Sequence, residues 1–130
     1  MIYDMKQQFG HYFEEYQVGD IYKHWPGKTI TEGDNNLFTL LVINHHPVHL
    51  DKKYCEAHPH GKILVVGTLV LSLVAGMSVS EISGKAIANL DYEKITHDSP
   101  VFIGDTIYCE TEILEVRESR SKPDRGIIYV

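Results

Sequence analysis

The most apolar stretch of the chain lies near its middle and has the spacing of a helix. From Thr68 to Ile82, leucine and methionine recur every four residues on one face, and branched apolar residues cover much of the remainder. A helix that is apolar nearly all round leaves no face for water, so the pattern predicts a buried helix over roughly residues 67–82. The first face carries Leu69, Leu73 and Met77, and the second carries Leu71, Val74 and Val79.

Two more helices are predicted upstream by their capping residues. Thr31 can accept hydrogen bonds from the first amides of a helix whose leucine-rich run ends at Pro47. Asp51 can cap a shorter helix over residues 52–57 in the same way. The leucines at helical spacing after Thr31 are Leu37, Leu40 and Leu41.

The remaining apolar runs have the length and composition of strands. Two short ones, Ile21–Lys23 and Lys28–Ile30, flank a Pro-Gly turn. Three others, Ala86–Tyr92, Thr106–Val116 and Gly126–Val130, fill the last third of the chain. One buried helix followed by antiparallel strands predicts an α+β fold in which the sheet wraps around the helix.

Composition limits the class of protein. The 130 residues, 14.8 kDa, suffice for one domain, which we expect to span 1–130. A net charge of -6 disfavours nucleic-acid binding. The longest apolar run, Ile63–Gly76, is too short to span a bilayer, and the first residues lack the order of a signal peptide. Cys55 and Cys109 fit no metal or redox spacing, so we expect reduced thiols in a cytoplasmic protein.

Five histidines between residues 45 and 60 raise the question of a zinc site. They lack accompanying cysteines or carboxylates at recognised spacing, and Pro47 interrupts the helical register that a His-x-x-x-His pair needs. We therefore expect no metal. The histidines are His45, His46, His49, His58 and His60.

Three segments together resemble the MaoC-like dehydratase family. Asn44–Asp51 resembles the family's hydratase motif, written G-D-x-N-P-[LIV]-H, and Gly67 and Pro100–Thr106 match in order and spacing. The resemblance is nearest to itaconyl-CoA and mesaconyl-CoA hydratases, through the segments 31–34, 88–90 and 117–121. It implies a single hotdog fold and an enzyme that hydrates or dehydrates an acyl-CoA thioester. Coenzyme A would enter as part of the substrate, with no separate cofactor.

The resemblance also implies the site residues. His49 falls on the catalytic histidine, and Gly67 on the glycine whose backbone N–H faces the thioester oxygen. Asn44 stands where the usual member has an aspartate, and Val66 replaces a common histidine. Relatives continue past the position of Val130 into another strand, so a C-terminal strand of the family is expected to be absent or supplied by other means.

These residue types suit hydration of an enoyl thioester. A histidine can transfer protons near neutral pH, and an amide at a helix N-terminus can stabilise the developing oxyanion. An asparagine side chain cannot titrate, so Asn44 can only orient water or substrate, unless Glu32, Asp34 or Asp51 supplies an acid. Simpler roles stay open: a surface position for His49, tight packing at Gly67 and a helix cap for Asn44.

Four cations lie in the polar turn predicted over residues 117–125 and could form a second binding element. They are Arg117, Arg120, Lys122 and Arg125. They are either the solvated side chains of a hairpin or contacts for coenzyme A phosphates or a substrate carboxylate. Two other functions also remain open, a catalytically weak acyl-CoA-binding subunit and a hotdog thioesterase, although residues 68–80 carry no carboxylate. A hotdog unit of this size leaves an edge and an apolar face uncovered, which predicts a homodimer or larger homo-oligomer without a membrane partner.

Overall fold

The computed structural model describes residues 1–130, which group into two units. The site unit, as we call it, contains Gly27–Val74 and Tyr92–Tyr108. The hairpin unit contains Met1–Pro26, Ala75–Asp91 and Cys109–Val130. The expectation of one domain over 1–130 stays a prediction.

Capping side chains begin the helices of the site unit where the sequence places them. Helix α2, Glu32–Leu41, starts at Thr31, whose hydroxyl and main-chain N–H pair reciprocally with the amide and carboxylate of Asp34. Helix α3, Lys52–Glu56, starts at Asp51, whose carboxylate accepts from the Tyr54 amide at 2.9 Å. Both predicted caps are confirmed. Helix α4 spans Gly67–Met77, and its residues up to Val74 belong to the site unit.

Apolar residues from several segments form the core of the site unit. Strand β2, Lys28–Thr29, pairs antiparallel with β3, Thr106–Ile107, and the next residue, Ile30, is fully buried. Val65, at the approach to α4, donates its amide to the Val101 carbonyl at 2.8 Å. The segment that leads into α4 is thereby attached to the core. The fully enclosed members of this core are Ile30, Val65, Val66 and Leu69.

The hairpin unit is built on two antiparallel pairs. Strand β1, Ile21–Lys23, pairs with β4, Glu110–Glu112, and β5, Glu115–Glu118, pairs with β6, Gly126–Tyr129. Its core consists of Tyr16, Ile82 and Ile113, and the Tyr16 hydroxyl donates to the Ile82 carbonyl. Its helical segments are α1, Met5–Gln8, and two 3₁₀ turns, Phe13–Glu15 and Ser83–Lys85.

The central helix is shorter and less buried than its sequence predicts. The helix ends at Met77 instead of residue 82. Directly after Met77, the Ser78 hydroxyl donates to the Ala75 carbonyl, and tighter turns follow. Only Leu69 on the helix is fully buried, and Val74 is 38% exposed. A helix that is apolar on every face needs neighbours on every face, and within the chain only part of its surface is covered.

Two strand predictions also differ from the structure. The stretch Ala86–Tyr92 forms no strand, and every residue from 86 to 100 is exposed. The predicted strand Thr106–Val116 is divided among β3, β4 and the start of β5. Strand propensity is expressed only where a neighbouring edge lies in register, so these apolar patterns alone do not decide where pairing occurs.

Candidate active site

His49 is a buried histidine whose tautomer is set by one hydrogen bond. It ends a 3₁₀ turn, Pro47–His49, in which proline occupies the first turn, and only 9% of the residue is exposed. Its Nδ1 lies 2.7 Å from the Leu64 carbonyl oxygen. Because a carbonyl can only accept, Nδ1 carries the proton, and Nε2 of the neutral ring keeps a free lone pair. His49 is thus built as a proton acceptor at Nε2.

The turn that carries His49 is fastened to the segment before α4. The Leu64 amide donates to the Val48 carbonyl at 3.0 Å, while the Leu64 carbonyl accepts from the His49 ring. The side chain of Asn35 adds a third link, because it contacts the His49 carbonyl and the Val66 amide. Sequence reasoning did not single out Asn35. The sequence signal that could have indicated it is the spacing of Asn35 and Thr39, two polar residues four positions apart on one face of α2, both of which are fully buried.

Gly67 presents a main-chain donor at the start of α4. It is the first residue of the helix, and no protein atom accepts a hydrogen bond from its N–H. A side chain here would collide with the ring of His97, since a Cβ atom would lie 2.9 Å from Cε1 of that ring. Gly67 therefore combines a close approach to the His97 ring with a free amide, and its role stays a prediction. His97, which the sequence did not suggest, makes no hydrogen bond and is a second imidazole at the start of the helix.

Asn44 lies in the turn between α2 and His49. Its backbone amide donates to the Thr39 carbonyl at the end of α2, whereas its side-chain oxygen accepts from the His46 amide at 3.3 Å. The side chain therefore supports the following turn and does not cap α2. Its Nδ2 has no protein acceptor and remains available to orient water or substrate, the role that stays a prediction.

Ile43, the residue before Asn44, departs from the hydratase motif and has an unusual backbone conformation. Ile43 occupies the position of the motif's glycine and has a φ of 59°, and it is the only non-glycine residue in the left-handed region. Left-handed backbone is unfavourable for a β-branched side chain. Ile43 therefore adopts the left-handed backbone conformation that glycine favours, although it is not a glycine.

The carboxylates nearest in sequence to Asn44 serve as helix caps. Asp34 accepts from the Thr31 amide and pairs with Lys28 at 3.0 Å, and Asp51 accepts from the Tyr54 amide. Hydrogen bonds from Thr31 and Lys28 hold the pKa of Asp34 at about 2. A carboxyl group that stays ionised above this pH is a poor proton donor near neutrality.

The four predicted cations lie on the β5–β6 hairpin, in the hairpin unit. Arg117 approaches Glu115 at 3.7 Å and the Tyr129 hydroxyl at 3.2 Å, and Arg125 pairs with Asp124 at 3.0 Å. The side chains of Arg120 and Lys122 form no ion pair. Two of the four cations are thus committed to their own hairpin, and phosphate binding by the cluster stays a prediction.

The family of the chain follows from its whole sequence. The sequence pattern of the family described as MaoC like domain matches residues 14–128. The chain belongs to the MaoC-like domain family. This confirms the resemblance drawn from the motif.

Relatives and solved structures of this MaoC-like chain support the same assignment. A mesaconyl-CoA hydratase from Cereibacter sphaeroides is 29% identical over 126 residues, which cover 97% of this chain and 36% of that protein. The chain spans about a third of the length of such curated relatives. A protein from Archaeoglobus described as a monoamine oxidase regulatory protein has a TM-score of 0.79 at 30% identity, covering 92% of this chain and 79% of that one.

The fold class predicted from the sequence is confirmed by structural comparison. The (R)-hydratase from A. caviae involved in PHA biosynthesis has a TM-score of 0.71 at 26% identity, covering 81% of this chain and 77% of that one. The MaoC-like chain has the α+β hotdog fold of these neighbours. None of its helices combines the length and apolar character needed to cross a membrane.

Proposed function

We propose that this MaoC-like chain adds water to, or removes it from, the α,β double bond of an enoyl-CoA thioester. The proposal is carried by one observation: a buried imidazole with a free Nε2 and a helix-start amide without an acceptor are fixed to the same short segment, residues 64–67. These groups are His49 and Gly67. A base and an oxyanion donor are the two functions that hydration of a conjugated thioester requires.

In the hydration direction, His49 Nε2 takes a proton from water as the water oxygen bonds to the β-carbon. The π electrons move toward the thioester oxygen, and the Gly67 N–H donates to the enolate that forms. The imidazolium then gives its proton to the α-carbon. The H and OH of one water end on the two carbons, and the ring is neutral again. Asn44 Nδ2 holds the water or the substrate in this scheme.

The acyl group would be small and branched or dicarboxylic, as the similarity to a mesaconyl-CoA hydratase suggests. An apolar groove of about 150 Å³ lies in the site unit, and its lining does not include His49, Asn44 or Gly67. The Lys28 ammonium lies along the groove and is already paired with Asp34 at 3.0 Å. Arg120 and Lys122 are the cations free to meet coenzyme A phosphates. The apolar lining consists of Leu37, Phe38, Leu41, Leu69 and Leu73.

The second candidate function is binding of an acyl-CoA with little turnover. Asn44 favours it, because the amide cannot share proton transfer with His49 and its oxygen already accepts from His46. In that case the Gly67 main-chain donor would retain the thioester. A partner subunit would then supply the missing acid.

We further propose that the chain acts as a cytoplasmic homodimer without a cofactor. Exposed apolar residues on α2, including Leu37 at 61% and Leu41 at 71%, and the incompletely covered α4 are surfaces that a second copy would bury. Cys55 is buried as a free thiol, as expected in a reducing compartment. Light scattering on a sizing column tests the dimer, and a monomer at micromolar concentration would count against it.

A substrate panel tests the function. The protein is mixed with crotonyl-CoA or mesaconyl-CoA, and loss of the conjugated thioester absorbance is followed together with release of free thiol. We expect absorbance loss without thiol, and His49→Ala should reduce the rate by about 10²-fold or more. His60→Ala, at an exposed histidine, is the matched control and should retain activity. Binding without turnover would support the second candidate, and thiol release would indicate a thioesterase.

A further inference from the structure

Asn35 is a fully buried polar side chain whose partners both lie outside its own helix. It is 0% exposed on α2, and its amide group makes two hydrogen bonds. Nδ2 donates to the His49 carbonyl at 2.9 Å, and Oδ1 accepts from the Val66 amide at 3.0 Å. The partners are 14 and 31 residues away in sequence. A buried amide with both ends satisfied by distant main chain specifies a tertiary arrangement more than a local one.

The two partners belong to the two halves of the proposed chemistry. One is the main chain of the base itself, His49. The other is the N–H of Val66, which lies one peptide unit before the Gly67 N–H, the proposed oxyanion donor. The ring of His49 is also tied to the Leu64 carbonyl, two residues before Val66. The Asn35 amide therefore closes a ring of hydrogen bonds that includes the base and the residue before the donor.

We infer that Asn35 is a positioning residue, which holds the His49 imidazole and the Gly67 amide at a fixed separation through the main chain of both. The inference rests on the proposed hydratase function. Asparagine suits the position because its side chain carries both a donor for the His49 carbonyl and an acceptor for the Val66 amide. Aspartate lacks the donor, leucine of similar size lacks both groups, and glutamine is one methylene longer.

The expected signature is a loss of kcat, because the misplaced groups still admit substrate. A displacement of about 1 Å between reacting groups can cost on the order of 10²-fold in rate. We therefore expect Asn35→Leu to lower kcat for the active enoyl-CoA by 10-fold to 100-fold, on the order of that effect, with KM changed by less than about threefold. Amide hydrogen exchange at Val66 should accelerate in the same variant.

Thr39→Val is the matched control. Thr39 lies one turn later on the same helix and is equally buried, but its hydroxyl donates only to the Asn36 carbonyl of its own helix. The control removes a buried hydrogen bond from α2 without touching either half of the site. Its kcat should stay within about twofold of the wild type when both variants are assayed well below their unfolding temperatures.

Three results would overturn the inference. An Asn35→Leu protein that is folded and retains wild-type kcat removes the positioning role while leaving the proposed function intact. An equal kcat loss in Thr39→Val shows a general effect of the helix. A wild-type protein that turns over neither crotonyl-CoA nor mesaconyl-CoA refutes the proposed function, and this role with it. If Asn35→Leu does not fold, Asn35→Ser, whose hydroxyl cannot span both partners, must show the same kcat loss.

Discussion

Replacing Asp34 with asparagine should lower the free energy of unfolding near neutral pH, and the loss should diminish in acid. The carboxylate accepts from the Thr31 amide at 2.9 Å and pairs with the Lys28 ammonium at 3.0 Å. Together with the Thr31 hydroxyl, these contacts lower the pKa of Asp34 from 3.8 to about 2. Asparagine can still accept from the amide but loses the charge that favours the first turn of α2.

The magnitude follows from the pKa difference. A depression from 3.8 to about 2 corresponds to about 2.4 kcal/mol if none of it were screened. The side chain is 32% exposed, so solvent and salt reduce the contribution to about 1 kcal/mol. Because the folded-state pKa is the lower one, this stability is complete above the unfolded pKa and is lost as pH falls toward 2. About half of it should be gone at pH 3.

Urea unfolding of the wild type and Asp34→Asn at pH 6 and pH 3 measures this difference. Glu32→Gln is the matched control, since it removes a carboxylate from the same first turn that has no hydrogen bond or ion pair. Its effect should be a few tenths of a kcal/mol, about that of the helix dipole alone. A stability difference for Asp34→Asn that is absent at pH 6, or equally large at both pH values, would show that the Asp34 charge does not stabilise α2.

Three further predictions concern single residues near the site. Ile43→Asn should raise the free energy of unfolding by about 1 kcal/mol in urea titrations, because Ile43 is 78% exposed at φ 59° and asparagine tolerates that conformation; an unchanged midpoint would show no strain there. Gly67→Ala should lose turnover on the order of tenfold, since its Cβ meets the His97 ring, whereas Gly76→Ala, with nothing within 4 Å, should keep its rate and gain thermal stability. For Asn44, Asn44→Ala should lose turnover because the water or the substrate loses an orienting donor, and Asn44→Asp should retain activity; full activity in Asn44→Ala would remove this residue from the mechanism.

Local signals account for the parts of the fold that the sequence predicted well. Thr31 and Asp51 cap their helices with side-chain bonds that reach only three residues ahead. Strand Ile21–Lys23 lies where its apolar run and the following Pro-Gly turn indicate. The family motif also indicated His49, because residue type and spacing in the 44–51 segment are visible without any tertiary contact.

Contacts between distant segments account for what the sequence did not show. The hydrogen bonds of Asn35 reach partners 14 and 31 residues away. The His97 ring approaches Gly67 from a segment 30 residues later in the chain. The segment 86–92 has strand-like composition but forms no strand, because strand formation needs an edge in register as well as propensity.

Local sequence signals were enough to predict the capped helix starts, the hotdog class through the family motif, and His49 as the candidate base. Tertiary structure alone decided that the His49 proton lies on Nδ1, since the acceptor is a carbonyl 15 residues away. It also decided that Gly67 keeps a free amide beside a second imidazole and that α4 ends at Met77. Capping and periodicity act over one or two helical turns, whereas hydrogen-bond partners and burial depend on which distant segments the whole fold brings together.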